Sequence, residues 1–411
     1  MSKARNMASF KRSDGTLNSN IYSKKVGFTT TGIDDNATST AITIDSSENV
    51  GIGTTGPSTK LQVAGDITAT AFAGSGANLT GIDAATVATT APSSPATGDL
   101  WFDSTSGTTA MKVWSGTAWD QMSNKFSATG GTETTSGGYK YHTFTSSGTF
   151  TAETSGSVDI LMVGGGGGGG GYGGGGGGGA VLHSVSKTLT PTTYAITIGA
   201  GAVGKQSGVT GSTFTGGSTT AFSQTATGGG TGGRYNNVNG SDGANGGGAG
   251  AYGDASNEEG AGVVPSTDSY TTAYCGFDGG DCNTIGPSYP CGGGGGATAV
   301  GGYGNGNVGG VGGAGKLVSS MSSYYWAGGG GGCVYATSGT GGAGGIGGGG
   351  GGTRAAGGAG LNSGGAGTNN STPGANGGAN TGGGGGGNEY ISGTGVGGAG
   401  GSGIVIVRYV V

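Results

Sequence analysis

The side chains capable of acid–base or nucleophilic chemistry are few in this sequence. Its two histidines, His142 and His183, lie in segments with strand-like patterns, and no serine or cysteine nucleophile is recognisable beside either of them. General acid–base catalysis needs a titratable group within hydrogen-bond reach of the atom that it protonates or deprotonates. The sequence therefore predicts no catalytic residue and no enzymatic activity.

Two further patterns resemble ligand sites without completing them. The run from Gly310 to Gly315, followed by Lys316, has the spacing of a phosphate-binding loop, but Leu317 stands where serine or threonine would bind magnesium. Asp278 and Asp281 offer oxygens of the kind that bind calcium, yet a few acids in one turn are typical of an ordinary turn. We expect no cofactor and no bound metal.

The four cysteines, Cys275, Cys282, Cys291 and Cys333, are separated by gaps of six, eight and 41 residues. These gaps match none of the compact zinc patterns. Buried or free thiols are one interpretation, and disulfides formed after release from a reducing cell are a second. Metal binding is a third, and the sequence leaves all three open.

Aromatic residues, in place of acids and bases, fill the interruptions between the glycine runs. Ten of the 16 tyrosines lie between residues 228 and 400. Tyrosine and tryptophan give large, rigid contact areas at low entropic cost, so they are frequent in recognition surfaces. The rings could equally cap the ends of the glycine runs and shield backbone from water, and the two roles are compatible.

The loops favoured for recognition are 263–291 and 321–326, followed by 234–239 and 333–337. The candidate binding residues in them are Tyr235, Tyr270, Tyr274, Phe277, Tyr289, Tyr324, Tyr325, Trp326 and Tyr335.

Glycine dominates the elements that must position these residues. The chain of 411 residues contains 111 glycines, and the runs Gly164–Gly171 and Gly173–Gly179 are separated only by Tyr172. Glycine costs roughly 0.5–1 kcal/mol relative to alanine inside a helix or strand. Collagen is excluded, because it needs glycine at every third position and abundant proline, and this chain has eight prolines.

The remaining alternatives for the glycine runs are disorder and packed polyglycine helices. Glycine-rich segments usually behave as flexible linkers. An extended left-handed helix of the polyproline-II type has three residues per turn and no internal hydrogen bonds, so neighbouring helices must satisfy its backbone. The clustered aromatics and the apolar C-terminal segment favour packed helices.

Short β-branched runs bounded by turn residues predict strands elsewhere. Leu100–Asp103, Met111–Trp114 and Ala118–Met122 form a predicted three-stranded meander, and residues 84–92 before it have the composition of a linker. The final segment, GIVIVRYVV, is continuously apolar apart from its arginine. We expect it to pair beside Val158–Val163 and so to close the glycine-rich region with a small sheet.

Three stretches resemble bacteriophage tail fibres. ITIDSSENVGIGTTGPSTKLQVAGDI resembles a shaft repeat of phage fibres, and PSSPATGDLWFD with MKVWSGTAWDQM resembles a small β module of the same proteins. HTFTSSGTF, VDILMVGGGGGGG and GGSGIVIVRY resemble the glycine-rich terminal domain of such fibres. The last pattern is also similar to the polyglycine-helix adhesins of some T-even-type phages, although those are separate proteins and this domain is fused to its own shaft.

The resemblance implies an all-β fold in an elongated homotrimeric fibre. Its parts are a short β shaft, a small β-meander module, and a C-terminal glycine-rich domain of packed polyglycine-II helices bracketed by a small β-sheet. The implied domains are 1–35 as a virion-docking arm, 36–83 as the shaft, 84–125 as the tryptophan-rich module, 126–227 as the β-rich base, and 228–411 as the tip.

The implied function is attachment of a virion to a host-surface receptor, a polysaccharide or an outer-membrane protein, through the aromatic loops of the tip. We expect alanine at Tyr324, Tyr325 and Trp326 together to abolish attachment. The alternative is a purely structural head or tail decoration fibre. A non-viral glycine-rich surface or ice-binding protein is a third possibility, but the gaps are irregular and aromatic instead of regular threonine arrays.

Charge gives no support for nucleic-acid binding, because the net charge is −5 and only 9% of residues are charged. The basic N-terminal arm is an exception, and Lys3, Arg5, Lys11 and Arg12 are candidates for docking on other virion proteins. A solvated tail is the plainer interpretation of this arm. No signal peptide is recognisable, so we expect synthesis in the host cytoplasm and assembly into the virion.

Overall fold

The computed structural model is all-β, with no helix among the residues that it describes. These residues are 41–68, 85–106, 110–122, 125–206, 215–235, 238–250, 258–282, 288–335, 339–368, 373–389 and 395–411. The predicted docking residues Lys3, Arg5, Lys11 and Arg12 lie outside them. Within the described ranges, no helix is long and apolar enough to cross a membrane. The chain divides into two units, Met1–Thr86 and Val87–Val411.

The first unit contains a three-stranded sheet of β1 (Ile42–Ile44), β2 (Val50–Ile52) and β3 (Leu61–Val63). β1 and β2 are antiparallel, and β2 and β3 are parallel. The carboxylate of Asp45 accepts the N–H groups of Ser47 and Asn49 and thereby fixes the turn after β1. The sheet is too small to bury its own apolar residues, which leaves Ile42, Ile44, Ile52 and Leu61 exposed.

The second unit begins with a four-stranded sheet in the order β4-β5-β6-β7. Its strands are β4 (Thr86–Ala88), β5 (Leu100–Asp103), β6 (Ala110–Trp114) and β7 (Trp119–Gln121). The predicted meander is confirmed, but part of the expected linker forms β4. Trp101 explains the difference, because its buried indole donates to the Ala88 carbonyl and holds β4 against the meander.

The base of the glycine-rich region contains two sheets and a hairpin. The six-stranded sheet has the order β17-β13-β12-β20-β10-β9, and the three-stranded sheet has the order β14-β11-β8. The strands are β8 (Ala128–Thr129), β9 (Thr132–Ser136), β10 (Tyr139–Phe144), β11 (Gly148–Ala152), β12 (Gly156–Val163), β13 (Val181–Leu189), β14 (Thr192–Ile196), β15 (Thr219–Ala221), β16 (Gln224–Ala226), β17 (Thr271–Tyr274), β18 (Lys316–Leu317), β19 (Tyr325–Trp326) and β20 (Ile404–Val410). β15 and β16 form the hairpin.

The C-terminal strand β20 pairs with β12 in antiparallel register, from Asp159 opposite Arg408 to Val163 opposite Ile404. This confirms the pairing expected from the sequence. β20 also pairs with β10 on its other side, so it is an interior strand. An interior strand covered on both faces requires apolar residues at successive positions, which accounts for its composition.

Side chains cover both faces of the six-stranded sheet. Phe150 of the three-stranded sheet packs with Ile160 and Met162 in one buried cluster. On the opposite face, Leu161 packs with Trp326 of β19 in a second cluster. The sheet is therefore the middle layer of the base.

Among the described residues of the region 228–400, three strands occur, although this region has no alternating apolar and polar pattern that would predict strands. β17 extends the edge of the six-stranded sheet by pairing with β13, from Val181 opposite Tyr274 to Ser184 opposite Thr271. β18 and β19 form a short hairpin. These strands depend on their partners, because runs of two to four residues have little intrinsic preference for a strand.

The glycine segments are bonded through their backbones to several neighbours at once. In segment 174–180, successive N–H groups point to three different segments, and the pattern repeats every three residues. Gly174, Gly177 and Ala180 donate to 227–233, Gly175 and Gly178 donate to 292–295, and Gly176 and Gly179 donate to 382–385. Carbonyl groups of the same segment accept from 164–170, from Gly248 and from Gly330. Six segments therefore surround this one.

Only glycine fits these central positions. A Cβ added to Gly176 would lie less than 3.0 Å from the carbonyl oxygen of Gly167, a backbone atom that cannot move aside independently. The absence of side chains thus permits the close approach on which the hydrogen bonds depend.

The glycine segments have two distinct ends. At the sheet end, Val163 of β12 leads directly into Gly164, Ala180 leads into β13, and Gly403 leads into β20. At the opposite end, which we call the far end, the chain turns at Tyr172. The far end is defined by Tyr172, Arg234, Tyr235, Tyr289, Cys291, Cys333, Tyr335, Arg354 and Glu389. Hydrogen bonds from Cys333 to Gly173 and from Asn388 to Gly170 place neighbouring segments at this level.

Candidate functional site

The predicted aromatic residues separate into two groups at opposite ends of the glycine segments. Tyr270, Tyr274, Phe277, Tyr324, Tyr325 and Trp326 lie at the sheet end, whereas Tyr235, Tyr289 and Tyr335 lie at the far end. The sequence-favoured loop 263–291 begins at the sheet end and finishes at the far end. One continuous recognition surface therefore does not include all nine residues.

At the sheet end, the segment from Lys316 to Trp326 folds back over the six-stranded sheet. Trp326 is only 1% exposed, and its indole Nε1 donates to Ser322 Oγ at 3.2 Å. Tyr324 and Tyr325 are 43% and 38% exposed. The tryptophan therefore anchors the segment in the core, and the two tyrosines present their rings to solvent.

Tyr274 and Phe277 are half-buried at the sheet end, and Tyr270 is exposed. Lys316 Nζ lies 4.1 Å from the centroid of the Tyr274 ring, a cation–π arrangement that joins β18 to β17. One face of the Tyr274 ring is therefore already covered by the Lys316 side chain.

Arg408 organises a polar patch beside these residues that the sequence analysis missed. Its guanidinium donates to Asp159 Oδ2 at 2.8 Å and to the Ser320 carbonyl, and it lies 4.3 Å from the Tyr139 ring centroid. The sequence feature that could have predicted this patch is Arg408 itself, the one charged residue in the otherwise apolar strand β20. Such a charge needs a partner, which β12 supplies.

At the far end, aromatic rings pair across loops. Tyr172 and Tyr235 have ring centroids 6.1 Å apart, and Tyr289 and Tyr335 have centroids 5.5 Å apart, both nearly perpendicular. Tyr335 is 39% exposed. Tyr172 is buried, and its edge-to-face contact supports the Tyr235 ring. Because such pairs restrict ring motion, the partly exposed rings of Tyr235, Tyr289 and Tyr335 form a preorganised surface.

Charged groups at the far end are buried or half-buried, with Glu389 1% exposed. Arg354 donates to both carboxylate oxygens of Glu389, at 3.0 and 3.1 Å. Burial raises the pKa of the Glu389 carboxyl above its usual range. Burial, followed by the charge of Arg234, lowers the pKa of Lys205. These side chains are therefore packed into the far end and do not belong to its exposed surface.

The two histidines have different surroundings. His142 is fully buried, with Nδ1 2.7 Å from the Gly130 carbonyl and Nε2 3.2 Å from the Tyr409 hydroxyl, and burial lowers its pKa. His183 Nε2 lies 3.4 Å from Ser320 Oγ. The nearby Asp159 carboxylate is engaged by Arg408 and by the Ser186 N–H group.

The residues singled out for metal chemistry have backbone partners. Asp278 Oδ1 accepts the Gly262 N–H at 2.8 Å, and Asp281 Oδ1 accepts the Cys282 N–H at 2.6 Å. Across the described ranges, no group of three His, Cys, Asp or Glu side chains has the arrangement of a metal site.

Comparison with known proteins assigns the glycine-rich part of the chain to a family. No curated protein matches the chain. The sequence model of a glycine-rich domain family matches residues 143–410, which begins within β10 and ends with the last residue of β20. The match thus includes the glycine segments and the strand that closes them, and it covers more than half of the chain. The protein therefore belongs to the glycine-rich domain family.

Proposed function

We propose that the protein is a virion tail-fibre adhesin whose far end binds a host-surface receptor non-covalently. The observation that carries the proposal is that the partly exposed rings of Tyr235, Tyr289 and Tyr335 are held in ring pairs at the ends of backbone-bonded glycine segments, with Tyr235 supported by the buried Tyr172. A rigid support with aromatic rings at its end loses little entropy on binding. The resemblance of the shaft, module and glycine-rich strings to phage fibres supports the virion context.

The direction of the chain supports the far end as the tip. Residues 126–163 enter the glycine-rich region through β8 to β12, all of which belong to the base. We propose that the end opposite to these strands contacts the host, and that Lys3, Arg5, Lys11 and Arg12 dock on other virion proteins. Tyr235, Tyr289 and Tyr335 become the leading contact residues, ahead of the sheet-end group.

Two double variants test the location of the site and act as controls for one another. Full-length labelled protein is incubated with a panel of bacterial strains, and the fluorescence bound to cells is measured. We expect Tyr289→Ala with Tyr335→Ala to reduce binding at least tenfold, and Tyr324→Ala with Tyr325→Ala to leave it unchanged. Trp326 is omitted, because its loss would disturb the core.

The opposite pattern would move the receptor site to the sheet end. Absence of binding by the unmodified protein to every strain would favour the alternative, a purely structural decoration fibre on a head or tail.

We also infer that the glycine segments are polyglycine-II helices. The three-residue repeat of hydrogen-bond directions around segment 174–180 supports this, because such a helix has three residues per turn. Hydrogen–deuterium exchange tests it: the N–H groups of Gly174–Gly179 should be protected as strongly as those of β12. Exchange at the rate of an unfolded chain would rule the helices out.

A homotrimer is the proposed assembly of the shaft. The exposed side chains of Ile42, Ile44 and Leu61 support it, because three copies could bury them around one axis. Native mass spectrometry should detect three chains, and Ile44→Asp should yield monomers. Ser46→Asp adds the same charge in the neighbouring turn and should leave the trimer intact, whereas a monomeric unmodified protein would contradict the proposal.

A further inference from the structure

Two cysteines from distant parts of the sequence meet at the far end. The Sγ atoms of Cys291 and Cys333 lie 3.0 Å apart, and both side chains are buried. Each cysteine stands at the end of a glycine segment, Cys291 before Gly292 and Cys333 after Gly332. The two positions are therefore fixed by the surrounding backbone and not by a flexible loop.

The backbone around the pair has a geometry that suits a covalent link. The Cys291 N–H donates to the Cys333 carbonyl at 2.9 Å, and the Tyr335 N–H donates to the Ser288 carbonyl at 2.9 Å. The two Sγ atoms are already 3.0 Å apart, so they need to approach by only about 1 Å to reach the S–S bond length of about 2.0 Å.

The other two cysteines have no such arrangement. Cys282 Sγ lies 3.4 Å from the Gly250 carbonyl, and Cys275 belongs to the hydrophobic cluster of the base. Burial raises the pKa of both thiols to about 11. The pair Cys291–Cys333 is thus distinguished by the close approach of its two Sγ atoms.

We propose that Cys291 and Cys333 form a disulfide that locks the far end once the protein leaves a reducing cytosol. A small-molecule disulfide such as oxidised glutathione is the oxidant. Both thiols are buried in the folded protein, so the exchange takes place while the far end is open, before it closes in folding or when it opens transiently. One cysteine thiolate then attacks the glutathione disulfide and releases one glutathione thiol, and the second cysteine displaces the other glutathione. Two protein S–H groups are replaced by one S–S bond, and one glutathione disulfide becomes two thiols.

The disulfide would restrict the motion of the aromatic surface as well as stabilise the fold. Tyr289 packs against the cysteine pair and makes the perpendicular ring contact with Tyr335. Linking Cys291 to Cys333 closes a long loop of chain and fixes the two loops that carry these rings. The disulfide does not depend on the proposed receptor function, because it can form in a fibre of any role.

The test refolds the full-length protein with oxidised glutathione and maps its peptides by mass spectrometry without reduction. We expect one linked peptide pair, joining the Cys291 and Cys333 peptides, and a mass lower by about 2 Da than that of the reduced protein. Reduction should lower the melting temperature by roughly 5–10 °C.

Three variants separate the disulfide from ordinary packing. Cys291→Ser and Cys333→Ser should each have a melting temperature that does not change on reduction, and this temperature should be no higher than that of the reduced unmodified protein, because each variant also buries a hydroxyl group. Cys275→Ser, the control, should still show the shift on reduction. Alkylation of both Cys291 and Cys333 in the oxidised, denatured protein, or a link from either of them to Cys282, would overturn the proposal.

Discussion

The six-stranded sheet and the glycine segments use the same backbone hydrogen bonds but differ in what occupies the space between chains. In the sheet, side chains such as Phe150 and Ile160 fill the layers on both faces. Around segment 174–180, neighbouring backbones approach so closely that their carbonyl groups occupy the space of a Cβ atom. The sheet should therefore be sensitive to removal of atoms, and the glycine segments to addition of atoms.

Removal from the sheet core is expected to have the largest effect. Phe150 is completely buried between the two sheets, so Phe150→Ala should lower the free energy of unfolding by about 3–5 kcal/mol. Denaturant unfolding measures the loss. Phe102→Ala, at a partly exposed ring of β5, is the control and should cost much less. Equal losses would show that burial does not set the stability of the base.

Addition to the glycine segments should rank second. Gly176→Ala places a methyl group against the Gly167 carbonyl and should lower the free energy of unfolding by about 3 kcal/mol, the upper end of the usual range for overpacking. Gly148→Ala is the matched control, because its Cβ would meet only the Phe144 ring at 3.9 Å. A tolerated Gly176→Ala would show that the segments are looser than their hydrogen bonds indicate.

Low pH should destabilise the sheet region by a smaller amount than these substitutions. Burial lowers the pKa of His142 in the sheet, so the unfolded chain binds a proton that the folded chain refuses, and stability falls as the pH drops below about 6.5. The slope is at most about 1.4 kcal/mol per pH unit. His142→Gln should reduce this slope, although Glu133 and Lys140 also act on the imidazole. Burial lowers the pKa of His183 in β13 as well, so the double variant with His183→Gln should be needed to remove the histidine contribution. An unchanged slope in the variant would assign the acid sensitivity to other groups.

Exposed tyrosines should matter least to either region. Tyr324→Ala and Tyr325→Ala each remove a ring that solvent already contacts, so the melting temperature should change by no more than about 2 °C. Trp326→Ala is the contrasting variant and should lower it clearly, because that ring lies in the core. A large effect of either tyrosine would indicate that its ring supports the sheet.

The sequence predicted the elements that carry apolar side chains. β20 and its pairing with β12 were predicted because a continuous apolar run must be covered on both faces. β17 was missed, because Thr271–Tyr274 has no alternating pattern and becomes a strand only beside β13. Trp326 was grouped with Tyr324 and Tyr325, although the fold separates buried from exposed rings within three residues.

The arrangement of the glycine segments could not be predicted for a physical reason. In a sheet, the alternation of apolar and polar residues fixes which face is buried and hence the register. A run such as Gly173–Gly179 has no side chains to form such a pattern. The strands and loops at its ends therefore determine which segments it packs against. The assignment of Tyr289 and Tyr335 to one end, and of Tyr324 to the other, follows from those neighbours and not from local sequence.

The far-end turns have a consequence for how such a protein can change over time. Arg234 and Val238 form an antiparallel bridge across one such turn. The glycine segment that leads into this turn is hydrogen-bonded to several other segments. Lengthening a surface loop costs only about 0.6 kcal/mol for each doubling. Insertions and substitutions in these turns can therefore accumulate while the bonded segments beneath them keep their positions. The architecture separates a part that must stay constant from a part that is able to diversify.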